Sequence, residues 1–290
     1  MKLPDIEYIR PSTLDEAVRL LAAPDAKVLA GGQSLLPLMA YRLAAPRILV
    51  DIGRLSELRG MRSDAHGLVL GALVRWRDIE NDPCIAAAHP LLREAVSHVA
   101  HYQIRNRGTV GGSLAHADPA AELPAVALAC GAGIVAIGPT GRRMIEAADF
   151  LEAPLTTALK SDEIIVELRL PPWPPTRRFV FEEFVRRRGD FALAGVCLFY
   201  DLDGEGRMVS PCVVAFGATE IQQRISMLEE YLAGRRLDET VCAEAGEMAS
   251  AAIDAVEDMH APQDYRRALF GTLVERALIR SMTSGGSHVH

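Results

Sequence analysis

The pentapeptide Pro171-Pro-Trp-Pro-Pro175 constrains this chain more than any other segment. Proline fixes φ and lacks an N–H. A run this dense takes extended polyproline geometry and supports neither a helix nor a central strand. A domain boundary is therefore expected there.

Upstream, residues 2–8 alternate loosely as a short strand, which Pro11 and Ser12 break. Thr13-Leu-Asp-Glu16 has the form of a capping box. Ala17, Val18, Leu20 and Leu21 supply the apolar stripe, and the helix should end near Pro24. A strand at 27–30 runs into Gly31-Gly32, a helix is expected over 35–44, and a second strand over 48–52. Residues 1–55 thus read as a small α/β unit. Further on, the pattern predicts a strand at 68–72, helices at 75–81, 90–100 and 120–129, and strands at 133–137 and 164–170.

Beyond the prolines, strands are expected at 179–187 and 192–201, a hairpin turn at Asp203-Gly204, and a returning strand at 209–216. Helical patterns follow at 226–233, 239–255 and 265–280. The Gly/Ser/His-rich tail, 283–290, should fray. The resulting divisions are 1–55, 56–175, 176–282 and the tail.

Composition excludes several classes. Among 290 residues, 49% are apolar and 24% charged, and the net charge is −7. That is ordinary for a folded soluble chain and rules against wholesale disorder. It lacks the basic footprint that phosphate backbones require, so no nucleic-acid partner is expected. No stretch approaches the ~20 apolar residues of a membrane span. Five cysteines, none in C-x-x-C spacing, argue against this chain ligating zinc or an iron–sulfur cluster by itself. Their odd number and an N-terminus without an apolar run suit a reducing, cytoplasmic setting.

The chemistry concentrates in two glycine-rich turns. Ala30-Gly31-Gly32-Gln33-Ser34 follows a strand and precedes an apolar stretch. Thr109-Val110-Gly111-Gly112-Ser113 repeats the ingredients, a glycine pair flanked by hydroxyl residues. Paired glycines permit tight turns and close approach, and their amides can form a nest for anionic oxygens. One such turn is as readily a plain strand-to-helix connection. Two of matching chemistry suggest both sides of a pyrophosphate. Arg105 and Arg107 precede the second turn and either balance phosphate charge or are solvated surface. Glu122 either meets a ribose hydroxyl or simply occupies a helix's first turn. Arg186-Arg-Arg188 leads into Gly189-Asp190-Phe191-Ala192, where Asp190 and Phe191 either contact a ligand or form a plain turn and a core aromatic.

Other patterns fail on context. Gly131-Ala-Gly-Ile-Val-Ala136 has Rossmann-like glycine spacing, but its glycines follow a helix and open a strand. His98 and His101 stand three apart with no evident carboxylate or cysteine to complete a site, so no metal ligand is assigned. G-x-S-x-G, H-E-x-x-H and Walker A sequences are all missing, and no catalytic acid, base or nucleophile is assigned.

Taken together, these segments carry a family signature. Ala30-Gly-Gly-Gln-Ser34 with Leu35-Leu-Pro-Leu-Met39 resembles the first FAD-binding motif of the flavoprotein (medium) subunits of carbon monoxide dehydrogenase and xanthine dehydrogenase-type molybdenum hydroxylases. Ile104-Arg-Asn-Arg-Gly-Thr-Val-Gly-Gly112, continuing to Ala117-Asp-Pro-Ala-Ala-Glu122, resembles the second. Asp162-Glu-Ile-Ile165, Arg186-Arg-Arg-Gly-Asp-Phe-Ala192 and Asp258-Met-His-Ala-Pro-Gln-Asp-Tyr-Arg-Arg267 also match, so the resemblance covers essentially the whole chain.

The resemblance implies an α+β fold: a two-subdomain FAD-binding module of the vanillyl-alcohol-oxidase (PCMH) type, then a small antiparallel sheet with a helical bundle. It implies that residues 30–34 and 109–113, Glu122, Ile165, Asp190 and Phe191 contact FAD. It further implies a molybdopterin-binding large subunit and a small subunit with two-iron two-sulfur clusters as partners, in a dimer of heterotrimers. Electrons would pass from those clusters through FAD to an external acceptor. One departure stands out: Glu183 occupies a place where the family often has lysine. The competing expectations are a stand-alone FAD oxidoreductase, for which no pocket base is visible, and a non-catalytic protein that has lost FAD.

Overall fold

The computed structural model describes residues 5–283. The tail expected to fray lies outside the described residues beyond Thr283, as does the start of the strand expected at 2–8. The chain forms two compact units. One runs to Ala88 and includes His101–Ala117 and Gly131–Pro171. The other joins His89–Ala100 and Asp118–Cys130 to the chain from Pro172 onward.

The first unit opens with β1 (Glu7–Ile9), α1 (Leu14–Leu21), β2 (Ala26–Leu29), α2 (Leu35–Ala40) and β3 (Ile48–Asp51). The strands form a parallel sheet in the order β1-β3-β2. The Thr13 hydroxyl accepts the Glu16 N–H at 3.2 Å, as a capping residue should. The Glu16 carboxylate, however, accepts from the N–H and hydroxyl of Ser12, at 2.7 and 2.8 Å, so the reciprocal half of the box closes one residue early. Helix α2 stops at Ala40, short of the expected 44. Arg42 turns to φ 60°, and the Leu43 and Ala44 N–H groups both reach back to the Leu38 carbonyl.

A second sheet in this unit is antiparallel, in the order β4-β5-β10-β6-β7. Its strands are β4 (Met61–Asp64), β5 (Gly67–Gly71), β6 (Gly133–Gly138), β7 (Gly141–Glu146) and β10 (Ile164–Leu170). A small hairpin, β8 (Leu151–Ala153) with β9 (Thr156–Thr157), and helices α3 (Trp76–Asn81), α4 (Pro83–Ala88), α6 (Tyr102–Arg105), α7 (Val110–His116) and α9 (Ala147–Phe150) complete the unit. Edge strand β7, Gly-Arg-Arg-Met-Ile-Glu, buries only Ile145 and so carries no alternating apolar signal. A single core joins the two sheets and α1 through Leu14, Val18, Val50, Leu73, Val135 and Val166.

The second unit contains the antiparallel sheet β11-β12-β13-β14, from Arg178–Phe184, Ala194–Leu202, Met208–Phe216 and Gln223–Arg224. Helices α10 (Ser226–Leu232), α11 (Glu239–Ala252) and α12 (Gln263–Thr283) share a core with Val196, Leu198 and Tyr200 of β12. Helices α5 (Pro90–His98) and α8 (Glu122–Ala129) belong to the same unit. The Cys212 thiol of β13 donates to the Ala129 carbonyl at 3.4 Å, which puts α8 on the opposite face of the sheet. Two covered faces explain why β12 and β13 read as nearly unbroken apolar runs. The hairpin between them is wider than expected: the Asp203 carboxylate accepts the N–H groups of Glu205 and Arg207, and Gly206 takes φ 75°.

The proline segment is anchored by its tryptophan. Trp173 packs against His89, Phe179 and Phe199 at centroid separations of 4.8, 5.7 and 5.4 Å. The Arg177 guanidinium covers Trp173 and Phe199 at 5.3 and 4.6 Å. His89 caps α5, its Nδ1 accepting the Leu92 N–H at 3.3 Å. Burial, with a smaller contribution from Arg177, holds its pKa down to about 4 from 6.5. A depressed histidine contributes stability that is complete above its unfolded pKa and lost as pH falls through the folded one. His89→Asn keeps a capping acceptor but cannot take a charge. Urea unfolding should therefore show the wild type losing stability relative to this variant between about pH 6.5 and 4.

Candidate cofactor-binding site

In the first unit, β2 ends at Leu29 and the chain turns before α2, with Gly32 at φ 73°. A Cβ on Gly31 would stand 2.2 Å from the Arg107 carbonyl oxygen and 3.2 Å from the Gly108 Cα. Only glycine lets this turn lie directly on the backbone leading into the second turn. There, Thr109 caps α7, its hydroxyl accepting the Gly112 N–H at 3.2 Å. The Val110 and Gly111 N–H groups bond to the Val74 and Ala72 carbonyls at 2.9 and 2.8 Å. A Cβ on Gly111 would meet Ala72 Cβ at 2.6 Å, and one on Gly112 would lie 3.9 Å from Ala30 Cβ. Residues 30–34 and 109–113 are thus neighbours within one unit.

Their donors differ. The N–H groups of Gly31, Gly32, Gln33 and Ser34 meet no acceptor among the described residues. The Gln33 side chain steadies the turn by donating to the Gly31 carbonyl at 2.9 Å. In the second turn, the amides of residues 110–113 all bond within the protein. The free amides therefore come from the first turn, while the second contributes close approach and the Ser113 hydroxyl. Arg105 is held by Glu80 at 3.1 Å. Arg107, whose carbonyl touches Gly31, has no ion-pair partner among the described residues. Bare backbone and four unused amides fit a pyrophosphate such as that of FAD. Ile165 lies on β10 opposite Ala136, buried, and outside the core that takes Ile164 and Val166.

The remaining expected residues belong to the second unit. Glu122 opens α8, and the stretch before it is pinned. The Gln222 amide donates to the Asp118 and Ala121 carbonyls at 2.8 and 3.2 Å, and the Gly217 N–H to Pro119 at 2.9 Å. Burial first, and then the negative charge of Glu183, push the Glu122 carboxyl up to about 8. Asp190 and Phe191 follow Gly189, which takes φ 89°. The Asp190 carboxylate lies 4.0 Å from Arg186. Phe191 is 70% exposed, which rejects the core-aromatic alternative.

One residue of this unit went unassigned at the level of sequence. Arg266 is buried and donates to the Leu193 and Gly217 carbonyls at 2.7 and 2.8 Å. It also meets Asp258 at 2.7 Å. It thereby ties the 258–267 motif to the end of the 186–192 motif. No periodicity announces this, because the contacts run to loop carbonyls. Arg266→Ala should lower unfolding free energy by about 2–5 kcal/mol, since two buried carbonyls lose their donor. Urea denaturation of the full chain measures it.

Adjoining glycine turns with free amides on a two-sheet α+β unit form a cradle of the kind that takes a nucleotide's phosphates. Residues 4–173 match the FAD binding domain in molybdopterin dehydrogenase, and residues 179–281 match the CO dehydrogenase flavoprotein C-terminal domain. The chain belongs to this family, the FAD-binding medium subunits of CO dehydrogenase-type molybdenum hydroxylases. It is 37% identical to the 6-hydroxypseudooxynicotine dehydrogenase complex subunit alpha of Paenarthrobacter nicotinovorans, over 97% of this chain and 96% of that one. It superposes on a chain of carbon monoxide dehydrogenase from Hydrogenophaga pseudoflava with TM-score 0.93 at 36% identity, covering 98% and 99% of the two chains. For quinoline 2-oxidoreductase from Pseudomonas putida 86 the TM-score is 0.94 at 35% identity, with 99% and 100% covered. Among the described residues no helix is long and apolar enough to cross a membrane.

Proposed function

We propose that this chain works in a cytoplasmic three-component molybdenum hydroxylase, beside a molybdopterin-binding large subunit and a small subunit with two two-iron two-sulfur clusters, assembled as a dimer of heterotrimers. Bound FAD supplies the interconversion between one- and two-electron steps, so that electrons drawn from the clusters leave to an external acceptor. The protein's own part is to bind and orient. The amides of Gly31, Gly32, Gln33 and Ser34 donate to the pyrophosphate, Arg107 offsets its charge, and the second turn brings the Ser113 hydroxyl alongside. Ile165, Glu122, Asp190 and Phe191 are assigned as further cofactor contacts on the strength of the family motifs. In this reading residues 1–55 and 56–175 are the FAD-binding subdomains, and 176–282 the C-terminal domain. No residue is assigned as a catalytic acid, base or nucleophile.

The observation that carries this reading is the first turn's unused amides lying against the backbone of the second. The purified chain, incubated with FAD and desalted, should keep oxidised-flavin absorption bands. Ser113→Ala should weaken FAD binding by about 2- to 10-fold through loss of the hydroxyl's hydrogen bond. Gly31→Val should abolish retention, because its Cβ would need the space of the Arg107 carbonyl. A chain that stays colourless both alone and after co-expression with its partner subunits overturns the reading.

A further inference from the structure

Three titratable side chains of the second unit, Glu94, His98 and Glu183, gather at α5, and a fourth, Glu122, opens the helix α8 packed against it. Glu94 and His98 stand one helical turn apart on α5, which packs against both α8 and β11. Glu183 comes from β11 and Glu122 from the start of α8. His98 Nδ1 lies 3.4 Å from a Glu183 oxygen, and its Nε2 lies 3.8 Å from a Glu94 oxygen. The Phe181 ring flanks the imidazole at 5.2 Å. The Glu183 side chain is only 6% exposed.

An imidazole whose two ring nitrogens both face carboxylate oxygens satisfies both only as a doubly protonated cation. Other charges nearby are accounted for. Arg93 and Arg280 act on Glu94, and Asp118 adds negative potential at Glu122. The neighbouring Glu182 faces Arg276 and Arg280, at 3.4 and 3.7 Å. Among the described residues Glu122 has no hydrogen-bond partner in another residue. Two carboxylates around one imidazolium leave an excess negative charge, and Glu122 adds to it unless it stays protonated.

We propose that Glu94, His98, Glu183 and Glu122 form a proton-holding site in which His98 is a fixed imidazolium and Glu122 the exchangeable acid. The electrostatics agree with the geometry. Burial pulls His98 down, but the carboxylates of Glu183 and Glu94 facing its two N–H groups outweigh it and raise the pKa to about 9. Glu122 rises to about 8, through burial and then Glu183. Around pH 8, where Glu122 is partly ionised, such a site takes up protons from solvent and so offsets negative charge that electrons bring onto the chain. That last consequence rests on the FAD reading; the proton holding does not.

The sign of the pH effect is fixed. Both folded pKa values are raised, so each contribution to stability is complete below its unfolded pKa. Each is lost as pH climbs through about 8 for Glu122 and about 9 for His98. The full chain free of FAD, labelled with carbon-13 histidine, allows His98 to be followed by NMR and assigned with His98→Gln. His98 should titrate above about pH 8, and Glu183→Gln should reduce its proton affinity at least about tenfold. If that variant misfolds, Glu94→Gln provides the same test. Glu122→Gln should flatten the fall in thermal stability between about pH 5 and 8. A wild-type His98 midpoint at or below about 6.5 overturns the proposal, as does a Glu122→Gln stability profile parallel to the wild type's. With FAD bound, the flavin midpoint potential should vary less with pH in Glu122→Gln than in the wild type, and equal slopes would overturn the charge-offsetting role. A chain that binds no FAD counts against the FAD reading alone, since the histidine titration is read without it.

Discussion

The site depends on one backbone lying on another where no side chain fits. Gly31 touches the Arg107 carbonyl at a distance that forbids a Cβ, and this contact lays the first turn, with its four free amides, on the backbone that leads into the second. Neither turn sets that spacing alone. The first is the continuation of β2 in the parallel sheet, and the second sits on the chain leaving β5 in the antiparallel sheet. The core running through Val50, Leu73 and Val166 locks the two sheets together within the unit, and so holds the turns to within a van der Waals contact. Free amides would be costly if sealed from water. Residues 31–34 are only partly buried, so water can serve them until a ligand with acceptor oxygens replaces it.

The second unit positions its loops by a different device. Loops rich in Asp, Gly and Pro have little apolar surface to bury, so packing alone holds them weakly. Here buried polar side chains do it. Gln222 binds the carbonyls before α8, and Arg266 binds those of Leu193 and Gly217. Each interaction satisfies carbonyls that would otherwise be buried without a donor. The segments that resemble family motifs are thereby fixed from inside the fold.

What the sequence revealed follows from how local each signal is. Strand β10 lies where its β-branched run puts it, and the proline segment does divide the regular elements on either side. The glycine pairs were legible because tight turns are encoded by neighbouring residues. Helix α7 was not, because two glycines in a short segment erase the helical signal; its start depends on Thr109 capping and on Gly111 packing against Ala72. Edge strand β7 was hidden by its charges. The difference between the two turns was also invisible, since which amides remain free depends on where Ala72 and Val74 present their carbonyls.

Position 183 shows the limit most clearly. Read alone, a carboxylate in a place the family often gives to lysine looks like a lost charge. In the fold, Glu183 faces His98, a residue far away in sequence whose imidazole also meets Glu94. In place of the positive charge missing from β11, α5 offers a histidine whose pKa those two carboxylates raise against burial. Each residue depends on the other: without Glu183, His98 would lose one of the two carboxylates that hold its proton against burial, and without His98, Glu183 would be a nearly buried carboxylate stripped of its cationic partner. Losing either residue alone would therefore cost stability, and the electrostatic character of this face is a property of the cluster rather than of any one residue in it.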